Sequence, residues 1–511
     1  MTQPTTAPDR RWWTLGAVCV ATFMLLLDIT IVNVALPDIA KDLHSSFSDL
    51  QWVIDAYALS LAALLLTAGS LADLLGRRLV FTLGLAIFTT ASLLCALSGS
   101  PLFLELARAL QGVGAAAMFA TSLALLAATF QGRERGTAFG VWGATTGAAV
   151  AVGPLVGGVL TESVGWQSIF LINVPIGIGA IAATLMRVEE SRDPEAAGVD
   201  WAGLVTFSTG LFLLVFALVR GNAEGWGSPL IVSFLAGAVV LLCAFVVAER
   251  VQDRPMFDLT LLRKPAFAGA SIAAFTLSAS LFSMFLYMTL YLQNALGYSP
   301  LQAGLRFLPV TLLSFIVAPI AGKLSTRLPV RLMIGVGLVF VGVGLLLMAH
   351  LDANSEWTAL LPGFLLAGVG VGLINPPLAS TAVGVVPPAR AGMGSGINST
   401  FRQIGIATGI AGLGALFQQL LENKAAGPLA RVPADVLATG IPRVAGPSPV
   451  AQHAYLQTFT SALNDLFVVG AVVALTGGVL SALLIRRSDF IVTQGREESA
   501  RQEGAAAAEA G

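Results

Sequence analysis

Apolar runs of about 20 residues recur along the chain, each closed by charges, Pro/Gly turns or an acidic cap, and a run of that length matches the hydrocarbon thickness of a bilayer. They fall at 12–36, 50–72, 79–98, 102–128, 136–160, 166–186, 201–219, 229–248, 267–294, 301–323, 330–349, 358–382, 393–420 and 464–485. Backbone polar groups inside lipid must be satisfied within the segment, so such runs are helices. The pattern predicts an all-α membrane protein with about 14 transmembrane helices. Three stretches do not fit a span. Residues 187–199 are charged, 421–463 read as a Pro-rich outer loop, and the tail after Arg487 is rich in Ala, Glu and Gln.

The basic residues give this count an orientation. With the N-terminus inside, Arg77, Arg78, Arg263, Lys264, Arg327 and Arg331 all fall in inner loops. The outer loops hold only Lys41, Arg220, Lys424, Arg431 and Arg443. Loops enriched in Lys and Arg stay cytoplasmic, so both termini are placed in the cytoplasm and the protein in the inner (cytoplasmic) membrane. Trp12, Trp13, Trp52, Trp166, Trp201, Trp226 and Trp357 fall near span ends, as an interfacial belt requires.

A weak internal repeat organises the spans. Gly69-Ser70-Leu71-Ala72-Asp73 follows the second, and Gly322-Lys323-Leu324-Ser325-Thr326 follows the tenth; a basic turn comes after each. Two six-helix pseudo-repeat bundles at 12–186 and 267–485 place these turns in equivalent positions. Residues 187–266 then hold a linker and an inserted helix pair. Residues 1–11 and 486–511 are cytoplasmic tails, the second disordered.

Composition supports lipid as the solvent. The chain has 511 residues, 56% hydrophobic and 11% charged, with a mean hydropathy of +0.82. Soluble domains average about 25% charged residues. A formal net charge of −1 gives no field for nucleic acid. Cys19, Cys95 and Cys243 lie in separate apolar runs and read as small buried hydrophobes. No P-loop, His-Glu-x-x-His, Gly-x-Ser-x-Gly or Cys/His cluster occurs, which argues against an enzyme and leaves no cofactor to expect.

Ionisable groups inside a bilayer are costly and point to function. Asp28 lies about nine residues, roughly 13 Å, from the outer end of its span, and Arg108 about six residues, roughly 10 Å, from the outer end of the fourth. The two share one level, where an arginine tunes a proton-titratable carboxylate or locks it in a permanent ion pair. Arg108 pairing with Glu105, one turn away, is the other bland reading. Asp55, about four residues into the second span, is either a hydrated interfacial acid or a second proton site. Arg306 and Arg402 have no evident acidic partner; each anchors substrate or bonds helix carbonyls. Asp465 reads as an interfacial helix start. The three histidines, His44, His350 and His453, fall outside the spans, so carboxylates must carry any proton coupling. Phe275, Phe282, Phe285, Tyr287 and Tyr291 of the ninth span are candidate walls of an apolar cavity, or lipid-facing.

Five local patterns give the chain a resemblance to the major facilitator superfamily, in its fourteen-helix drug:proton antiporter branch. Leu27-Asp28-Ile29-Thr30-Ile31-Val32-Asn33-Val34-Ala35-Leu36-Pro37 is close to that branch's span-one signature. Gly69-x-Leu71-Ala72-Asp73-x-x-Gly76-Arg77-Arg78 matches the loop between spans two and three, where the Asp and basic pair resemble a cytoplasmic gate latch that breaks for inward opening. Arg108-x-x-Gln111-Gly112-x-Gly114 is similar to the span-four pattern, whose arginine is linked to proton transfer. Gly153-Pro154-x-x-Gly157-Gly158 resembles the antiporter motif of span five, with Ala149 at its usual first glycine. Gly394-x-Gly396-x-Asn398-x-x-x-Arg402-Gln403-x-Gly405 is similar to a span-thirteen pattern. Gln167 stands where the family often has arginine, and spans nine to twelve carry no membrane acid.

The resemblance implies proton-driven efflux of amphipathic or lipophilic organic compounds by rocker-switch alternating access, powered by the proton gradient and carried out by a monomer. Asp28, Asp55 and Arg108 would couple protons. Asn33, Gln111, Phe282, Tyr287, Asn375, Asn398 and Arg402 would line the substrate cavity. The alternatives are a dedicated exporter of one metabolite, antibiotic or lipid, a solute:proton symporter, and a non-transporting sensor or scaffold.

Overall fold

The computed structural model describes residues 8–130, 132–192, 198, 200–252, 255, 257–325, 327–386, 391–439 and 449–486. The first half comprises α1 (Pro8–Asp42), α2 (Phe47–Leu75), α3 (Arg77–Ala96), α4 (Pro101–Thr129), α5 (Gly132–Ser163) and the short α6 (Ser168–Leu171) continued by α7 (Asn173–Arg187). Next come α8 (Trp201–Glu224) and α9 (Pro229–Val251). The second half comprises α10 (Pro265–Leu277) and α11 (Ser283–Leu290), α12 (Pro300–Leu324), α13 (Val330–Met348), α14 (Leu361–Gly384), α15 (Ala391–Lys424), the short α16 (Ala434–Thr439) and α17 (Pro449–Leu484). A π-helical turn, Ser278–Phe282, joins α10 to α11, and a second, Tyr291–Ala295, extends α11, so that Pro265–Ala295 is one span.

Thirteen of the described helices are long and apolar enough to cross a membrane, and α5 adds a fourteenth that bends by 42° between Val141–Ala149 and Ala151–Ser163. The bend has a local cause: Pro154 has no N–H for the carbonyl of Val150, and its ring crowds that turn. Helix starts follow from side-chain caps. Ser46 accepts from the Asp49 backbone at 3.2 Å while Asp49 returns a bond to the Ser46 N–H at 2.7 Å. Ser299 and Gln302 repeat this box at α12, with Pro300 in the first turn.

Helices α1–α7 pack among themselves, as do α10–α17. The turns α1–α2, α3–α4 and α8–α9 mark one end of the bundle, called here the α1–α2 end; the α2–α3 turn marks the other. Helix α8 lies across the seam where α2 meets α15. Asn222 of α8 donates to the Ala415 carbonyl at 2.6 Å, and Trp52 of α2 meets Phe212 and Phe216 with ring centroids 5.9 and 6.0 Å apart. Helix α9 stands outside α8 with Val232, Val239, Val240 and Val247 exposed, a surface suited to lipid.

Four sequence expectations change. The last span does not start at 464: α17 begins at Pro449, because proline suits a first turn and Val450–Leu463 contains no Gly or Pro to stop it. The irregular part of 421–463 therefore shrinks, and Asp465 sits within α17, paired to Lys424 of α15 at 2.5 Å. Trp166 is buried rather than interfacial, its indole N–H donating to Asp42 at 2.8 Å. Cys243 is exposed on α9, whereas Cys95 is buried. The tails at 1–7 and 487–511, and the side chains of Arg133 and Arg135, lie outside the described residues.

Candidate functional site

A cavity lies between the two halves, lined by residues of both. Its first-half wall comes from Ile29, Thr30 and Asn33 of α1, Ile54 of α2 and Pro154 of α5. The opposite wall is aromatic: Phe282, Phe285 and Phe307 meet in sequence, tilted and then edge-to-face, with centroids 6.0 and 5.3 Å apart. The polar lining is sparse. Thr30 donates to the Leu27 carbonyl at 3.0 Å and Asn33 to that of Ile29 at 3.1 Å, while Thr311 and Ser314 face them from α12. Among the described residues, no charged side chain belongs to this lining.

Of the seven residues expected in the cavity, Asn33 and Phe282 line it. The other five lie elsewhere. Gln111 is buried inside the first half. The Tyr287 hydroxyl donates to the Ile410 carbonyl at 2.7 Å, and its ring packs on Phe417 at 5.4 Å. Two residues along an α-helix are roughly 200° apart, so with Phe285 on the cavity side Tyr287 faces α15. Asn398 holds α15 to α10 through the Ala270 carbonyl at 3.3 Å. Asn375 and Arg402 bond each other at 3.1 Å, one helical turn beyond the cavity residues Val371 and Ile406. Phe275 and Tyr291 are likewise outside the lining; the Tyr291 hydroxyl bonds the Ser355 carbonyl at 3.2 Å.

Asp28 and Arg108 do meet. Each is 1% exposed, and an Arg108 Nη1 proton donates to Asp28 Oδ2 at 2.5 Å. Arg108 takes this partner and not Glu105. Asp28 Oδ1 accepts from Gln111 at 2.9 Å and from Asn173 at 3.2 Å. Gln111 also donates to Ser92 at 2.8 Å and accepts from Arg108 at 2.6 Å. The guanidinium is fixed further by the Val53 carbonyl at 2.9 Å and by the Tyr57 ring, 4.3 Å beneath it. Helices α1, α4 and α7 thus meet at one carboxylate, and α2 and α3 fix its donors. Asn173 and Ser92 escaped the sequence reading, since small neutral polar residues hardly alter hydropathy; only the apolar setting of Asn173 in Leu171-Ile172-Asn173-Val174-Pro175 hinted at it.

Asp55 is the opposite case. It is 0% exposed, so it is not a hydrated interfacial acid, and neither carboxylate oxygen has a hydrogen-bond partner. It lies on the face of α2 that meets α15: Gln51, one turn earlier, donates across the seam to the Ile410 carbonyl at 2.9 Å.

The glycines of the span-five motif set how closely α5 approaches α1 of its own half and α12 of the other. A Cβ on Gly157 would lie 2.8 Å from the Ile31 carbonyl oxygen of α1, and one on Gly158 would lie 2.6 Å from the Leu301 Cα of α12. A Cβ on Gly153 would overlap the Thr30 side chain, and one on Gly304 the Pro154 carbonyl. All described hydrogen bonds between the halves lie toward the α1–α2 end. Besides Gln51, Gln293 donates to the Val34 carbonyl at 2.6 Å, and Glu162 accepts from Ser299 at 2.6 Å and from the Leu301 N–H at 3.1 Å. Farther along α5, Gly143 is exposed with no heavy atom near its Cβ position.

The expected gate residues gather at the α2–α3 turn, with Gly69 near Ala120 of α4. Arg77 Nε donates to Asp73 at 2.9 Å. Gly76 has φ of 120°, a left-handed setting that favours glycine. Glu190 completes the turn by accepting the Arg78 and Leu79 backbone N–H groups at 2.9 and 3.1 Å, a carboxylate at a helix N-terminus. Arg78 Nη1 donates to the Val188 carbonyl at 3.2 Å. The sequence reading counted Glu190 only as part of a charged linker. All of these contacts stay within the first half.

Comparison with known proteins agrees with this architecture. The chain is 37% identical over 461 residues to multidrug resistance protein Stp of Mycobacterium tuberculosis, covering 90% of this chain and 83% of the relative. It is 35% identical over 408 residues to the tetracenomycin C resistance and export protein of Streptomyces glaucescens, covering 80% and 76%. A crystal structure of a bacterial homologue of the human lysosomal transporter Spinster, inward-facing and unoccupied, superposes with a TM-score of 0.65 at 17% identity, covering 95% of this chain and 99% of that one. The family model described as Major Facilitator Superfamily matches residues 18–410. With its two helical halves enclosing a cavity in a multi-pass membrane protein, the chain belongs to the Major Facilitator Superfamily of transporters.

Proposed function

We propose that this protein exports amphipathic organic compounds across the cytoplasmic membrane in exchange for protons, as a monomer without a cofactor and with both termini inside. The observation that carries the reading is the apolar, aromatic-walled cavity between the halves, flanked by buried Asp28 and Asp55. The cavity offers area and few hydrogen bonds, which suits varied amphiphiles. The acids offer charge states that differ by one proton. A proton at Asp28 releases the hold on Arg108 and Gln111, which join α1 to α4; a proton at Asp55 neutralises an acid lying on the α2–α15 seam. Protonation thereby biases which end of the bundle opens, and two states of different affinity are what coupling requires.

In this reading the present conformation is closed outside. Among the described residues, the inter-half hydrogen bonds lie at the α1–α2 end, taken as the outer face, and the Asp73–Arg77 latch bonds nothing in the second half. Relatives named for multidrug resistance support a broad substrate range. A second reading, export of a single product, is supported by a relative named for tetracenomycin C.

The test is efflux of ethidium and of fluorescein from proteoliposomes under an imposed pH gradient, for wild type and Asp28→Asn. Gradient-driven efflux of either dye that Asp28→Asn abolishes supports the reading. Efflux indifferent to the gradient overturns proton coupling, and no efflux of either dye overturns the broad range in favour of a dedicated exporter.

A further inference from the structure

Three described arginines lie at membrane depth, and two have their charge accommodated by the protein. Arg108 has Asp28. Arg306 stacks 3.5 Å over Tyr298, lies 5.3 Å from the Trp357 centroid, and donates to the Gln302 carbonyl at 2.8 Å. Arg402 has neither acid nor ring among the described residues; its partner is the neutral Asn375 Oδ1 at 3.1 Å. A guanidinium carries five N–H donors, so most of this one's capacity is unused. A cation held in that setting is costly unless something answers its charge.

Its position says what could answer it. Arg402 lies one turn along α15 from Ile406, and Asn375 one turn along α14 from Val371, both of which line the central cavity. The pair therefore sits at the cavity's edge on the side of the α2–α3 end. The lining holds no carboxylate, and Asp28 is sealed behind its own donors inside the first half. Asp55 lies outside the lining too, on the α2–α15 seam, and makes no bond to Arg402, so the charged group that stands at this edge of the cavity is Arg402. Asn375 holds one guanidinium nitrogen, which leaves the fork free for the two oxygens of a planar anion.

Resting on the efflux reading, we infer that Arg402 and Asn375 form an anion subsite, so that the substrates are aromatic amphiphiles bearing a carboxylate or an ionised acidic hydroxyl. Their rings lie against Phe282, Phe285 and Phe307 while the anionic group reaches Arg402. Cationic amphiphiles fit the same walls but meet a like charge.

The test is binding to purified full-length protein in lipid nanodiscs, with three probes that share one ring system: anthracene-9-carboxylate, 9-anthracenemethanol and 9-anthracenemethylammonium. The expected order of affinity is carboxylate, then alcohol, then ammonium, with about tenfold between first and last, the ratio that one modest charge contact supplies. Arg402→Gln removes the carboxylate's advantage and leaves the alcohol's affinity unchanged, and Arg402→Lys keeps part of the advantage. The inference is overturned if wild type does not bind the carboxylate, if it prefers the ammonium, or if Arg402→Gln weakens all three probes alike, the mark of a structural role. These outcomes are read from equilibrium binding, so they stand whether or not the dye-efflux experiment shows proton coupling.

Discussion

The Asp28 carboxylate and the Arg108 guanidinium meet at 2.5 Å in the interior of the first half, and both Asp28 oxygens accept from donors on other helices. Replacing Asp28 by Asn leaves Arg108 charged, buried and without its counter-ion. Breaking a buried pair in this way costs about 3–5 kcal/mol. Asp28→Asn should lower the thermal midpoint of the purified protein, and Asp28→Asn with Arg108→Gln should fall less than the sum of the two single changes. An unchanged midpoint for the single variant would show that the pair carries no stability.

Asp55→Asn should have the opposite sign. Both Asp55 oxygens are buried without a partner, so an amide of the same shape gives up no bond. The midpoint should hold or rise while gradient-driven efflux is lost. A fall comparable to that of Asp28→Asn would mean that Asp55 is structural.

These two acids also show where the sequence was legible. Depth along a helix can be counted at about 1.5 Å per residue, which placed Asp28 and Arg108 on one level before any coordinates. Azimuth is harder. Helix α11 is apolar on every side, so its sequence does not say which aromatics face a ligand, and Phe285 and Tyr287 were equally eligible although they point to opposite sides. Gln111 illustrates another limit: an amide in a span is equally consistent with a cavity and with a buried ion pair. The fourteen spans were readable because lipid imposes their length, whereas the start of α17 was not, since its first turns lie among polar residues that hydropathy takes for loop.

The turn at Gly76 yields a stability prediction outside the spans. Glu190→Ala removes the acceptor from two backbone N–H groups at the start of α3, a loss of about 1 kcal/mol by analogy with helix caps. Gly76→Ala should cost more. It forces a side chain into φ of 120° and sets a Cβ 2.7 Å from the Glu190 carboxyl carbon. Adding Glu190→Ala to Gly76→Ala should restore the part due to crowding and leave the part due to φ. Chemical or thermal unfolding of the four proteins decides it, and full restoration would show that backbone conformation contributes nothing.

The last prediction concerns the seam between the halves. Gly157 and Gly158 are neighbours on α5 but face different helices: Gly157 meets Ile31 within its own half, and Gly158 meets Pro300 and Leu301 of the other half. Backbone atoms cannot move aside as side chains do, so a methyl at 158 must push α5 off α12, while a methyl at 157 pushes α5 off α1. Only the first change opens a path between the halves at the α1–α2 end. A cysteine placed at cavity residue Thr311, with Cys19, Cys95 and Cys243 replaced, reports that path through a membrane-impermeant maleimide added from the α1–α2 side. Gly158→Ala should speed its labelling, and Gly157→Ala should leave labelling unchanged while lowering thermal stability. Equal labelling in both variants would remove the glycine seam as the gate and leave the Gln51, Gln293 and Glu162 hydrogen bonds to hold that end closed.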